Sequence, residues 1–249
     1  HCGGAIFLAP HRRGWLSFTI LGAISKANSM TEFLFPGSRL LIFCKAPVVG
    51  NVKTRLIPAL GAVAATSLHR ELASRLMACC QAAMLAPIQL WCAPDMTHEF
   101  FTHSGLDCRQ QEGVNLGERM SHALTMALSE PGVESAILIG TDCVNLDADY
   151  LRRAFLSLQS ADAVLGPAED GGYGLIGLSE PAPAVFQNLA WGTASVCAGT
   201  ARHFNSQFAY WDLLPMLWDV DRPEDVERYR SVAAVRLDDG DIAITAAME

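Results

Sequence analysis

"RLLIFCKAPVVGNVKTRL", residues 39–56, decides how this chain is read. Leu40, Leu41, Ile42, Phe43 and Cys44 form an unbroken apolar run, the pattern of a strand buried on both faces. The run ends in a loop that carries Lys45, Lys53 and Arg55 around Pro47 and Gly50. Pro47 and Gly50 tighten that loop and let its backbone approach a ligand closely. Ligands of mostly parallel sheets sit beyond the carboxyl ends of the strands. Cations placed there can neutralise a di- or triphosphate, and Arg55 can bind phosphate oxygens with a forked guanidinium. The loop is not a Walker A motif, because Val52 stands where glycine must precede the lysine. The plainer alternative is a solvated basic turn.

The surrounding chain sharpens the contrast. Its 249 residues carry a formal charge of −8, which argues against a nucleic-acid or anionic-membrane binder. Hydrophobic residues make up 51%, enough for the core of one large α/β domain. Eight cysteines include no CxxC pair and several sit in apolar runs, which points to a reduced, cytoplasmic compartment. Residues 1–29 combine a basic patch with an apolar run too short to span a bilayer as a helix. They read as a signal peptide or as a segment upstream of an initiator at Met30, and they are expected not to pack into the fold. The expected organisation is a non-core extension over 1–37, one domain over 38–235 and a tail over 236–249. Oligomeric state is not legible.

Working outward, strand-like runs fall at 39–44, 88–92, 136–140, 162–166 and 173–178. Helical periodicity covers about 61–85, 116–129, 148–159, 182–189, 194–204 and 223–233. Leu68, Leu72, Leu76 and Cys79 share one helical face. Asn115 with Glu118 three residues on reads as a helix cap, and Asp147 as the cap of the helix after it. This alternation predicts a Rossmann-type α/β three-layer sandwich with a mostly parallel central sheet.

Three acidic segments could complete a site. In "ILIGTDCVNL", residues 137–146, a strand ends at Gly140 and places Asp142 at the ligand edge. A carboxylate there suits Mg²⁺ or Mn²⁺ bridging phosphate oxygens; a turn cap is the bland alternative. In "WDVDRPED", residues 218–225, Asp219 and Asp221 share one face of an extended segment, and either could supply a second metal ligand. Asp221 could equally be a neighbour of the helix cap ahead of Pro223. In "GPAEDGGYGLIGL", residues 166–178, Gly172, Gly174 and Gly177 form a nominal G-x-G-x-x-G, but it lies in a strand and opens no helix. Gly171 and Gly172 read instead as a turn whose backbone can approach a substrate. Asp170 is then a candidate general base or acceptor-binding group, against an ordinary Asp-Gly turn.

Together these segments resemble the bacterial DUF2064 proteins of the nucleotide-diphospho-sugar transferase superfamily. Members are labelled radical-SAM/selenodomain-associated or arsenosugar-type glycosyltransferases. The matching residues are K-A-P-x-x-G-x-V-K-T-R-L at 45–56, N-L-G-E-R-M at 115–120, G-T-D-C at 140–143, G-P-A-x-D-G-G-Y-x-L-I-G-L at 166–178, Trp191 with Thr193, and D-V-D at 219–221. The resemblance implies a GT-A-like fold and a metal-dependent transfer of sugar from a nucleotide sugar to a small-molecule acceptor. It implies that Lys45, Lys53 and Arg55 face the donor phosphates, with Gly50 in their loop, and that Gln111, Asn115 and Arg119 line the nucleotide or sugar pocket. Asp142 would hold Mg²⁺ or Mn²⁺, with Asp221 as second carboxylate. Asp170, Gly171, Gly172, Tyr173 and Trp191 would face the acceptor. Val144, Gly192 and Arg222 depart from the family pattern without removing a charged group. Two alternatives stand beside this reading: a nucleotidyltransferase that takes NTP and releases pyrophosphate, and a nucleotide-binding module without turnover.

Overall fold

The computed structural model describes residues 33–232; the expectations for 1–29 and for the tail lie outside them. Strands β1 (Ser38–Lys45), β2 (Ile88–Ala93), β3 (Asp107–Gln110), β4 (Ser135–Ile139), β5 (Ala163–Pro167), β6 (Tyr173–Leu178) and β7 (Trp211–Leu213) form one sheet in the order β3-β2-β1-β4-β6-β5-β7. β1 pairs in parallel with β2 on one side and with β4 on the other. Only β6 runs against its neighbours, β4 and β5. The helices are α1 (Ile57–Leu60), α2 (Ala62–Ala83), α3 (Glu99–Thr102), α4 (Leu116–Leu128), α5 (Ala148–Ser157) and α6 (Val196–Gln207), and residues 223–232 are helical as well.

The apolar run of β1 feeds both faces of the sheet. Leu40, Ile42 and Cys44 pack with Ala73, Leu76 and Met77 of α2 and with Leu151, Ala154 and Phe155 of α5. Leu41 and Phe43 pack on the other face with Met120, Ala123 and Leu124 of α4 and with Phe204 of α6. Alternate side chains of a strand point to opposite faces, so a strand in the middle layer must be apolar throughout. This is the expected three-layer α/β sandwich. Phe35, which the expected boundary at 37 leaves outside the domain, stacks on Phe155 with ring centroids 5.1 Å apart.

Local signals set the helix starts. The Asn115 side chain accepts from Glu118 N at 2.9 Å, and Asp147 accepts from Tyr150 N at 2.9 Å. Elsewhere the structure departs from periodicity. Residues 182–189 form only a short 3-10 turn, Pro183–Phe186, which Pro183 opens and which stops where Gln187 is extended and Asn188 turns left-handed at φ 54°. β3 and β7 have no apolar run to announce them: β3 (DCRQ) pairs only with β2 and β7 (WDL) only with β5, each at an outer edge of the sheet. Among the described residues, no helix is long and apolar enough to cross a membrane.

The architecture positions the site. From β1 the chain proceeds to β2 and β3 on one side, then returns to β4 on the other. The order therefore reverses between β1 and β4, the crevice where open α/β sheets bind ligands. The loop after β1 carries the cations, and the loop after β4 carries Asp142. Because β6 is antiparallel, its leading turn, with Asp170, opens at that same edge.

Candidate active site

The basic loop folds inward at one residue. Lys53 adopts a left-handed conformation, φ 47° and ψ 41°, just before a 3-10 turn at Thr54–Leu56. A non-glycine residue held there carries a strain of about 1–3 kcal/mol, so surrounding contacts must impose it. The buried Leu56 anchors the loop against Leu68 and Leu72 of α2 and against Val220. The Lys53 side chain is 2% exposed, and its Nζ lies 2.7 Å from Asp142 Oδ1. Neither atom makes a directed hydrogen bond, so the contact is an ion pair without the angular geometry of one.

A histidine completes this corner. His69 Nε2 lies 2.9 Å from the Lys45 carbonyl oxygen, which can only accept, so Nε2 carries the proton. Its Nδ1 is 4.0 Å from Asp142 Oδ1. Burial pushes the His69 pKa below its usual value, against the pull of the Lys45 carbonyl and of Asp142, and keeps the ring neutral at pH 7. His69 was legible only as a polar residue in the apolar stripe of α2.

Beside the corner lies a cleft of about 300 Å³, lined among others by Lys45, Val48, Val52, Pro94, Gln111 and Arg119. Three residues expected at the nucleotide, Lys45, Gln111 and Arg119, are thus brought together. Gln111 donates through Nε2 to the Trp91 carbonyl at 2.8 Å, and Arg119 donates through Nε to the Gly113 carbonyl at 3.0 Å. Gly50 lies in the loop between the cleft residues Val48 and Asn51. Asn115 is occupied as the α4 cap: besides accepting from Glu118 N, its Nδ2 donates to Glu118 Oε1 at 2.8 Å.

On the other side the edge is acidic. An isolated bridge between Cys143 and Asp219 brings residues 217–221 alongside the Asp142 loop, and Val220 N donates to the Asp142 carbonyl at 3.2 Å. Burial, together with the charges of Asp170, Asp221 and Asp142, pushes the Asp219 carboxyl up to about 6. Asp221 is ion-paired with Arg55, so that cation and that carboxylate occupy one another. Of Asp219 and Asp221, only Asp221 is engaged by a cation among the described residues. The alternation of Asp219 and Asp221 in the sequence makes both possible ligands; in the fold their surroundings differ, Asp219 lying among acids and Asp221 beside Arg55.

The turn ahead of β6 is fixed by a hydrogen bond and a close backbone approach. Asp170 is exposed and its Oδ1 accepts from Gly172 N at 2.8 Å. Gly171 has φ 85°, and a Cβ there would stand 2.2 Å from the Ala194 carbonyl oxygen. Trp191 lies against Gly117 of α4, so closely that a Cβ on Gly117 would meet its ring at 2.5 Å. Tyr173 meets Trp191 edge-on, with centroids 6.5 Å apart. The residues expected at the acceptor therefore share one rim.

A divalent cation fits the chemistry of this edge. Asp142 pairs with Lys53 through Oδ1 but its side chain is 46% exposed, and Asp219 is held by burial and neighbouring acids in a site that favours added positive charge. No group of three or more acidic, histidine or cysteine side chains is arrayed for a metal among the described residues. Mg²⁺ commonly takes only one or two carboxylates and fills its other positions with water and phosphate oxygens. Asp142 and Asp219 suit that pattern.

Comparison with known proteins bears on the fold and the family. The family described as "Uncharacterized protein conserved in bacteria (DUF2064)" matches residues 76–193. A candidate nucleotide-diphospho-sugar transferase from Desulfovibrio desulfuricans superposes with a TM-score of 0.69 at 31% identity, covering 75% of this chain and 83% of that one. A 4-diphosphocytidyl-2C-methyl-D-erythritol synthase from Anaerococcus prevotii superposes at 0.54 with 8% identity, covering 80% and 97%. A CMP:2-keto-3-deoxy-manno-octonic acid synthetase complexed with CTP gives 0.51 at 8% identity, covering 80% and 99%. The last two share the fold alone. No curated protein matches the chain. The identity to the Desulfovibrio protein over most of its length, and the family match across α4, β4, β5 and β6, show that the chain belongs to the DUF2064 family of the nucleotide-diphospho-sugar transferase superfamily.

Proposed function

We propose that this chain is a glycosyltransferase that uses Mg²⁺ or Mn²⁺ to move a sugar from a nucleotide-diphospho-sugar to a small-molecule acceptor. The observation that carries this reading is the Lys53–Asp142 pair at the strand-order reversal. The polar cleft of Lys45, Gln111 and Arg119 lies to one side and the acidic rim of Asp170 and Asp219 to the other.

In this reading the nucleoside occupies the cleft, and its diphosphate extends past Lys45 toward Lys53. Asp142 and Asp219 would hold the cation, which when bound supplies charge neutralisation for the leaving diphosphate. Lys45 and Lys53 add fixed positive charge where negative charge develops, and Lys53 does so from a site shielded from water. Asp170 takes the proton of the acceptor hydroxyl, and the Gly172 N–H holds its carboxylate in place. The acceptor oxygen bonds to the anomeric carbon. The bond from that carbon to the diphosphate oxygen breaks, and its electron pair leaves with the nucleoside diphosphate. Trp191 and Tyr173 offer an aromatic wall on which a sugar or another apolar-faced acceptor can lie.

The test is an assay of released products. Nucleotide sugars and nucleoside triphosphates are supplied in parallel with Mg²⁺ or Mn²⁺ and a panel of hydroxylated acceptors. Release of nucleoside diphosphate from the sugar donors supports the proposal. Pyrophosphate released from triphosphates alone would replace it with nucleotidyl transfer, and ligand binding without either product would leave a binding module.

A further inference from the structure

The cleft at the strand ends has a directional hydrogen-bonding edge, and this inference rests on the proposal that the cleft holds a nucleotide. The Gln111 side-chain amide has two ends, a carbonyl oxygen and an NH₂. The atom 2.8 Å from the Trp91 carbonyl must be the NH₂, because a carbonyl oxygen accepts and never donates. That bond fixes the amide against a flip and leaves Oε1, an acceptor, without a partner among the described residues. Arg119 is fixed in the same way: Nε is engaged by the Gly113 carbonyl, and its two terminal nitrogens, both donors, remain for a ligand. Both side chains line the same 300 Å³ space, between the apolar surfaces of Val48, Val52 and Pro94. Asn51 at the same cleft carries both a donor and an acceptor and so favours no base.

We infer that this cleft selects a lactam base, one that presents a ring N–H beside a carbonyl oxygen, as uracil and guanine do. Gln111 Oε1 accepts the ring N–H, and the free guanidinium N–H groups of Arg119 donate to the adjacent carbonyl. Cytosine and adenine present the opposite edge, an amino donor beside a ring nitrogen acceptor. Against them the amide oxygen faces a lone pair and the guanidinium faces an N–H, so groups on both sides lose their partners. Sites that leave their own polar groups unpaired against the wrong ligand discriminate strongly.

The experiment is calorimetric titration of the full chain with UDP, GDP, CDP and ADP in Mg²⁺, followed by UDP methylated at ring N3 and GDP methylated at ring N1. UDP or GDP is expected to bind at least about tenfold more tightly than CDP and ADP, and ring methylation to abolish that advantage. The two unmethylated lactam arms then say which ring size the cleft takes. Gln111→Met is expected to flatten the ranking while retaining the diphosphate-dependent part of binding. Equal affinity for all four bases, or unchanged affinity after ring methylation, overturns the inference and leaves the nucleotide site intact. A ranking that survives in Gln111→Met removes Gln111 as its cause. If no nucleotide binds, the functional proposal and this inference fall together.

Discussion

Lys53 and Asp142 are 89 residues apart in sequence and 2.7 Å apart at Nζ and Oδ1, with the lysine buried and the aspartate half open. Removing the aspartate strands an ammonium that has no directed hydrogen bond of its own. Asp142→Asn is expected to cost about 2 kcal/mol, less than for a fully buried pair because Asp142 is 46% exposed. The double variant Lys53→Met with Asp142→Asn is expected to recover part of that loss. Urea denaturation of the two single variants and the double variant measures the coupling; a strictly additive result would mean that the ion pair contributes nothing.

The acidic rim makes a prediction that separates two neighbouring aspartates. Asp219 lies among acids, whereas Asp221 is matched by Arg55. Asp219→Asn is expected to raise the Mg²⁺ concentration needed for half-maximal nucleotide binding by about tenfold, and Asp221→Asn by much less. Thermal shift at fixed nucleotide and varied Mg²⁺ reads this directly. The reverse order would return the second carboxylate to Asp221.

If Asp170 receives the acceptor proton, Asp170→Asn should lower kcat by roughly 10²–10⁴ and leave donor affinity nearly unchanged. Donor binding by calorimetry and turnover by nucleoside diphosphate release give the two readings. An equal loss in both would place Asp170 at the donor instead.

The two close glycine approaches are sensitive to a single methyl group. Gly171→Ala combines a left-handed backbone with a Cβ 2.2 Å from the Ala194 carbonyl oxygen and should cost roughly 3 kcal/mol. Gly117→Ala presses on the Trp191 ring, a side chain that can shift, so its stability cost is smaller and its main effect falls on indole fluorescence. A Gly117→Ala protein with an unchanged emission spectrum would contradict the packing described.

Acid stability should depend on Glu130. Burial alone would raise its pKa, but hydrogen bonds from Arg39, Arg109 and Gln89 overcome that and hold it below its usual 4.5. A carboxyl depressed in the folded state adds stability above its unfolded pKa and loses it as pH falls through the folded value. Melting temperature should therefore drop below about pH 4.5. Glu130→Gln should lower it at pH 7 and show a smaller fall on acidification, which melting curves across pH 3–7 would check.

What the sequence made legible follows from how local each signal is. The apolar runs of β1, β4 and β6 and the caps Asn115 and Asp147 depend on neighbours a few residues away, and each stands where periodicity and capping rules put it. The edge strands β3 and β7 depend on β2 and β5 for their existence, and no apolar pattern marks them. The family resemblance implies a phosphate role for Lys45 and a pocket role for Gln111 and Arg119; that all three line one cleft is visible only in the fold. Asp221 is tied to Arg55, which lies 166 residues from it in the chain, a pairing no local pattern announces. His69 acquires its place through the Lys45 carbonyl, a contact no spacing rule encodes.

The reversed direction of β6 has a further consequence for how such a molecule can diversify. The cleft is shaped by residues between 45 and 119, while the opposite rim comes from the separate stretch between 166 and 193 that this strand carries to the same edge. The two stretches touch where the Trp191 ring lies on Gly117, so a change at that seam is felt on both sides, whereas the exposed Asp170 turn can vary in sequence without touching the cleft.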